Sequence, residues 1–388
     1  MKATFHENVL RAFSFSLYTT TAVITSFFAL YFQAKGLSTV QIGLLFSMGP
    51  LVGIVSNLFW GVLSDKWRTV KKLLIIILAG QLIMAFVMFR SDSYMVLLVL
   101  ISLFYFFQTP VSSLSDSLTL LTVAGTKRSY ASIRIFGSVG FAIAALVFGM
   151  YLTAKGASAI PSLCLATVVL TLIVSFFLQD KQGSVKKIGF NGLFHIITRK
   201  RFILFMLTML AVSISTRTND TFLALFLQQL GASTTLIGNS WMMSALSEIP
   251  VFFLMSKYGH KYKELPLLMV ASAMYCLRFV LMSLTHEPGW VLAIQAMHSL
   301  SFGIFMPTVL RYISQAVPDQ YRASGQALYA VIWTGLGGLI SGAVGGGIYQ
   351  LLGPHMLYAS SALLAFIAML GFWGLHITER DDVSLEES

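Results

Sequence analysis

Apolar runs of about twenty residues, each long enough to cross the hydrocarbon core of a bilayer, recur along the whole of this chain. We read twelve, near 9–33, 39–62, 72–89, 94–124, 129–153, 159–178, 202–229, 235–257, 265–285, 288–316, 321–351 and 355–377. No water is available in lipid to satisfy backbone N–H and C=O groups, so runs of this length must be helices. The composition agrees: 11% of residues are charged and 56% hydrophobic, against roughly a quarter charged in an ordinary soluble domain. There are no large loops, so the chemistry of this polytopic membrane protein is expected inside the membrane. No small-residue cleavage site follows the first run, which is therefore expected to remain as a span.

A net charge of +11 raises the question of a nucleic-acid partner, and the placement of the cations answers it. Twenty Lys and Arg fall on one set of alternate connections, and only Lys35, Arg90 and Lys155 on the other. That is a positive-inside distribution, with both termini cytoplasmic. Basicity here reports topology, and no nucleic-acid partner is expected. Cys164 and Cys276 lie in separate runs, which indicates neither a disulfide framework nor a metal site.

The two halves echo each other. FFALYFQAKGLSTVQIG at 27–43 returns as FLALFLQQLGASTTLIG at 222–238, an offset of 195 that preserves Gln33, Gly36, Ser38, Thr39 and Gly43. Chance likeness between apolar segments would match Leu and Phe, and would seldom match the polar and glycine positions of a tight turn. The expectation is an all-α fold of twelve transmembrane helices in two pseudo-symmetric six-helix bundles, 1–178 and 202–388, joined by a basic cytoplasmic linker at 179–201. Repeats of this kind build many secondary transporters, whose substrate sites lie near the midplane and whose access alternates between sides.

The stretch GVLSDKWRTVKK at 61–72 resembles the Gly-x-x-x-Asp-Arg/Lys-x-Gly-Arg-Arg signature between helices 2 and 3 of the major facilitator superfamily. The Gly before the last basic pair is replaced by Thr69 or Val70. The resemblance implies a conformational gate loop at Gly61, Asp65, Lys66 and Arg68, with Asp65 capping a helix end and pairing with a cation in one conformation only.

Within the spans stand three arginines and three acids: Arg134, Arg217, Arg278, Asp116, Asp220 and Glu248. Each costs roughly 2.5–3.5 kcal/mol at mid-helix, so such residues persist when paired or functional. Asp116 and Arg134 are each nine residues from residue 125, about 13 Å along antiparallel helices at 1.5 Å per residue. They therefore lie at matching depth. Glu248 and Arg278 flank residue 263 in the same way and can also meet at mid-membrane. Arg217 and Asp220, three apart, share one helix face. A permanent buried bridge adds little stability, whereas one that opens on proton or solute binding makes a switch. His298, with Gln295 and Ser301 one turn to either side, adds a titratable group on a polar stripe. Gly137 and Gly140 read as points of close helix approach. No nucleophile–base pair or metal-ligating cluster is evident, so an enzyme is not expected and no cofactor is implied beyond the proton as coupling ion.

The stretch YASIRIFGSVGF at 130–141, with Asp116 eighteen residues before Arg134, resembles helices 4 and 5 of the lactose-permease-like branch of the superfamily, which includes oligosaccharide, nucleoside and 3-phenylpropionate proton symporters. The resemblance implies that Asp116 and Arg134 bind substrate, with Phe141 stacking on it where lactose permease has Trp. Arg278, His298 and RASGQALY at 322–329 extend the likeness. Lactose permease carries Lys-x-x-His-x-x-Glu on helix 10, and here those positions are Gln295, His298 and Ser301. The proton is then expected on Glu248, Asp116 or Asp220, and the local pattern looks nearer to the phenylpropionate-permease relatives. A monomeric proton symporter of the cell membrane, importing a small organic solute, is therefore expected. A sugar or oligosaccharide is taken first, with a nucleoside, a phenylpropionate-type acid or a proton/drug antiporter as alternatives. Substrate contacts are expected at Asp116, Arg134, Phe141 and Glu248, and coupling at Glu248, Arg278, His298, Asp220 and Arg217.

Overall fold

A computed structural model describes residues 2–123, 130–180, 200–317 and 322–386. The first nine helices are α1 (Lys2–Ala34), α2 (Thr39–Trp67), α3 (Lys71–Met88), α4 (Tyr94–Val123), α5 (Ala131–Lys155), α6 (Ile160–Ser175), α7 (Lys200–Gln229), α8 (Thr234–Tyr258) and α9 (Glu264–Leu284). Then comes α10 (Pro288–Ala316), interrupted by a single turn residue, Met297. α11 (322–352) contains a π-helical segment, Val331–Leu336, and a break at Gly353 separates it from α12 (354–386). There is no strand among the described residues. Among the described residues, ten stretches are long and apolar enough to cross a membrane. One of them, Gly325–Glu379, holds both α11 and α12, and α8 falls outside the ten because Asn239, Ser240, Ser244, Ser247 and Glu248 dilute its apolar character. Counting α11 and α12 separately and including α8 gives the twelve spans of the sequence. Most of the expected linker (181–199) and the α4–α5 turn (124–129) lie outside the described residues.

The sequence repeat is a repeat of backbone chemistry. Gly36 and Gly231 both take a left-handed φ, +80° and +82°, which costs a glycine nothing and other residues strain. At the first turn Leu37 N–H donates to Phe32 O at 3.2 Å, and at the second Ala232 N–H donates to Leu227 O at 2.9 Å. Ser38 then caps α2 in a reciprocal box with Gln41, while the Ser233 hydroxyl accepts from Leu236 N–H at the head of α8. Each turn thus ends one helix and starts the next within a few residues.

The chain folds as two compact units, Met1–Lys186 with Thr221–Ala245, and Lys187–Asp220 with Leu246–Ser388. In the first unit α1 is the central helix, packed along α5 and α6. In lipid no hydrophobic force holds helices together, so small residues that admit close approach do much of that work. A Cβ on Gly140 would collide with Phe15 O of α1. The head of α8 joins this unit by crossing α5: a Cβ on Gly238 would overlap Ala145 O, and one on Gly149 would come within 2.7 Å of Thr234 O. Beside the crossing, Thr153 Oγ1 lies 2.8 Å from the hydroxyls of both Thr234 and Thr235.

In the second unit α9 is the central helix, lying along α10 and the 337–386 stretch, with Tyr275, Arg278 and Phe279 fully buried. The π segment of α11 presents Trp333 O to Ser213 Oγ of α7, which donates to it at 2.5 Å. Gly337 admits that contact, since a Cβ there would overlap Ser213 Oγ.

Candidate functional site

Each unit holds its own cluster of charged and aromatic groups. In the first, Asp116 stands on α4 and Arg134 on α5, and no ion pair joins them within 4 Å. Two tyrosines take the places of the missing bridge. Tyr130 OH donates to Asp116 Oδ1 at 2.8 Å, and the guanidinium of Arg134 stands over the Tyr18 ring, 4.0 Å from its centroid. A guanidinium over an aromatic face is stabilised by the ring quadrupole without losing its N–H donors. Gly137 makes room for this stack, because a Cβ there would lie 2.6 Å from Tyr18 Cδ2 and 2.9 Å from Arg134 Nη1. Arg134 is half-buried, with no carboxylate within ion-pair distance among the described residues. Phe141, two turns further along α5, meets the ring of Trp241 edge-on, with centroids 6.2 Å apart and planes at 72°.

The second cluster is a chain of hydrogen bonds around Arg278, which is 1% exposed. Its Nη1 lies 2.7 Å from His298 Nδ1, and its Nη2 donates to Gln295 Oε1. On its far side, His298 Nε2 lies 2.8 Å from Glu248 Oε1. Arg278 and Glu248 therefore do not touch; His298 stands between them. A guanidinium has donors only, so His298 Nδ1 must accept and its proton must sit on Nε2, donating to Glu248. Gln295 and His298 both reach Arg278 because they are three residues apart on α10, one on each side of Met297. Gln295 Nε2 donates in turn to Asn219 Oδ1 at 3.4 Å, which also accepts from Tyr358 OH at 3.4 Å. The imidazole lies flat on Phe302, with centroids 5.0 Å apart and planes at 4°.

Arg217 and Asp220 do form a direct pair, Nη1 to Oδ2 at 3.3 Å, one turn apart on α7. Arg217 Nη2 donates to Thr334 Oγ1 of the π segment at 3.4 Å. The expected gate loop is largely helical: Asp65 and Lys66 lie in the last turn of α2 and Arg68 caps it. All three are exposed, and Asp65 has no hydrogen-bond or ion-pair partner among the described residues. The start of α3 is capped instead by Asp180, whose carboxylate accepts from Thr69 Oγ1 at 2.5 Å and from Val70 and Lys71 N–H at 3.1 Å each. Arg68 ends α2 with φ +50°, the left-handed place that glycine commonly fills.

Sequence reasoning missed Tyr18, Asn219, Trp241, Phe302 and Asp180. Asn219 carried a signal, standing between Arg217 and Asp220 in a polar run within an apolar span. Tyr18 and Phe302 carried none, since an aromatic in such a span is ordinary.

The chain matches the MFS_1 like family over residues 8–360. It is 28% identical over 372 residues to the uncharacterized transporter YwbF of Bacillus subtilis (strain 168), covering 95% of this chain and 92% of that protein. It is 23% identical over 373 residues to the maltose permease of Geobacillus stearothermophilus, covering 94% of each. The crystal structure of the nucleoside transporter NupG superposes with a TM-score of 0.82 at 16% identity, over 95% of this chain and 98% of that one. An all-helical multi-pass fold, a repeated turn at half-length and a family match over most of the chain lead to one conclusion: this protein belongs to the MFS_1 like family and is a major facilitator transporter of the membrane.

Proposed function

We propose that the protein is a proton-coupled symporter that imports a small organic solute by alternating access, acting as a monomer in the cell membrane with both termini cytoplasmic. The observation that carries the coupling is the Arg278–His298–Glu248 chain. His298 is held as a neutral donor by the arginine on its Nδ1 face, which leaves Glu248 as the group that can gain or lose a proton there. Protonating Glu248 removes the charge that His298 donates to, and the hydrogen bond weakens. Movement of solute and movement of charge then share one side chain. A proton crossing 100 mV supplies about 2.3 kcal/mol, enough to drive accumulation.

Solute binding falls to Asp116, Arg134 and Phe141, with Glu248 as the contact in the other cluster. A sugar or oligosaccharide is the first reading: Asp116 accepts from hydroxyls, Arg134 donates in a fork and Phe141 offers a ring face. It accords with the maltose permease among the relatives. A second reading, a nucleoside or a phenylpropionate-type acid, is favoured by Arg134 having no carboxylate partner among the described residues, since a carbonyl or carboxylate oxygen would satisfy it. The likeness to a nucleoside transporter accords with that.

Proteoliposomes with an imposed proton gradient test the proposal, using radiolabelled maltose, uridine and 3-phenylpropionate. Accumulation of one of them that a protonophore abolishes is the expected result. Efflux of a lipophilic cation with no uptake of any of the three would instead mark a proton/drug antiporter.

A further inference from the structure

Trp241 lies two helical turns inside the start of α8, is 7% exposed, and has an indole N–H with no hydrogen-bond partner among the described residues. A buried donor left unpaired costs about 1–3 kcal/mol, and phenylalanine would fill the same space without that cost. A tryptophan anchoring a helix at the membrane–water interface sits at the headgroups with its ring exposed. Trp290, 67% exposed at the head of α10, has that character; Trp241 does not.

Its neighbours point to a ligand. The ring meets Phe141 edge-on at 6.2 Å, an arrangement that suits the ring quadrupoles. Phe141 follows Arg134 by seven residues on α5, and Trp241 precedes Glu248 by seven on α8. Seven residues are nearly two full turns, so each aromatic shares a helix face with a charged group assigned above to solute. Towards the end of α5 and the start of α8 the two helices close at Gly149 and Gly238, so the aromatic pair stands between that crossing and the charges.

We infer that Trp241 is a further solute-contacting residue, forming with Phe141 an aromatic corner against a ring of the solute and donating its indole N–H to an oxygen on that ring. The inference rests on the transport reading above. It narrows the solute to a ring-bearing molecule with oxygen acceptors at the ring edge, and it assigns the preference among such molecules in part to one N–H. Tryptophan supplies both the ring face and a donor, where phenylalanine supplies the ring alone.

Uptake of maltose, uridine and 3-phenylpropionate by the full chain in proteoliposomes gives KM and kcat for whichever is carried. Trp241→Phe keeps a ring and loses the donor, and should raise KM about three- to tenfold, as for one hydrogen bond, with kcat falling by less. Trp241→His restores a donor and should recover part of that loss. Trp290→Phe, at an exposed ring, should leave both constants as they are. If 3-phenylpropionate alone is carried, whose ring bears no oxygen, or if Trp241→Phe has the wild-type KM for the carried probe, the inference is wrong and the transport reading stands. If the wild type neither carries any of the three nor is thermally stabilised by them, both fall together.

Discussion

Arg278 and His298 are 2.7 Å apart, guanidinium Nη1 to imidazole Nδ1, and that single contact fixes where the imidazole keeps its proton. An arginine cannot accept a hydrogen bond, so the ring faces it with a lone pair and turns its N–H towards Glu248. The histidine thus stands between a permanent cation and an acid, accepting a hydrogen bond from one and donating to the other.

That role predicts which substitutions His298 tolerates. A glutamine amide also has an acceptor at one side and a donor at the other. His298→Gln should keep proton-driven uptake to within about tenfold, the cost of one or two imperfect hydrogen bonds. His298→Ala removes both and should abolish coupled uptake. The two initial rates, measured at one pH, check this, and a glutamine variant as inactive as the alanine variant would show that the imidazole itself carries the proton.

Arg278 is placed to hold the second unit together. Replacing it with methionine leaves His298 and Gln295 without their donor in a buried setting, and breaking one side of a buried charged network costs about 3–5 kcal/mol. Lysine should not rescue, because a point charge cannot reach His298 and Gln295 together as the planar fork does. Thermal unfolding in detergent should give Arg278→Met and Arg278→Lys lower midpoints than the wild type.

In the first unit the stack of Arg134 on Tyr18 predicts an order of effects. Tyr18→Phe keeps the ring face and should transport nearly as well as the wild type. Tyr18→Ala loses a contact worth about 0.5–2 kcal/mol and should raise KM several-fold. Gly137→Ala pushes a methyl against both side chains and should cost more, since overpacking typically costs about 1–3 kcal/mol. Arg134→Lys should fail to restore transport for want of the fork. KM values for the carried solute across the four variants establish or overturn the order.

The α5–α8 crossing predicts a change in exposure rather than in chemistry. Gly238→Ala drives a methyl into Ala145 O, so the backbones must part. A cysteine at Thr153, beside the crossing, should then react faster with a water-soluble maleimide in the Gly238→Ala background than in the wild-type one. Equal rates would show that the crossing relaxes without opening.

How much of this was legible in the sequence divides along a physical line. The turns at Gly36 and Gly231 could be read because a left-handed glycine followed by a capping serine is local chemistry, written in adjacent letters. Counting from the hairpins gives an expected depth for Asp116 and Arg134, and for Glu248 and Arg278, because rise per residue is fixed. Counting does not fix azimuth. Whether two groups at one depth touch depends on helix rotation and on what else they meet. His298 stands between Glu248 and Arg278, while Asp116 takes Tyr130 and Arg134 takes Tyr18 as partners. Arg217 and Asp220, on one helix, needed no azimuth and do meet. Asp180 capping α3 was invisible for the same reason, since residues more than a hundred positions apart share that cap only after packing.

The proposed coupling assigns the proton that moves with solute to Glu248, to which His298 donates. Glu248→Gln preserves an acceptor for His298 and removes the titratable group. Solute-induced proton movement can be read with a pH-sensitive dye on proteoliposomes, alongside solute counterflow with no gradient imposed. The wild type should move protons with solute. Glu248→Gln should show none while counterflow continues, and should lose the roughly fiftyfold accumulation that one charge moving through 100 mV can sustain. Undiminished proton movement in Glu248→Gln would place the coupled proton elsewhere and contradict this assignment.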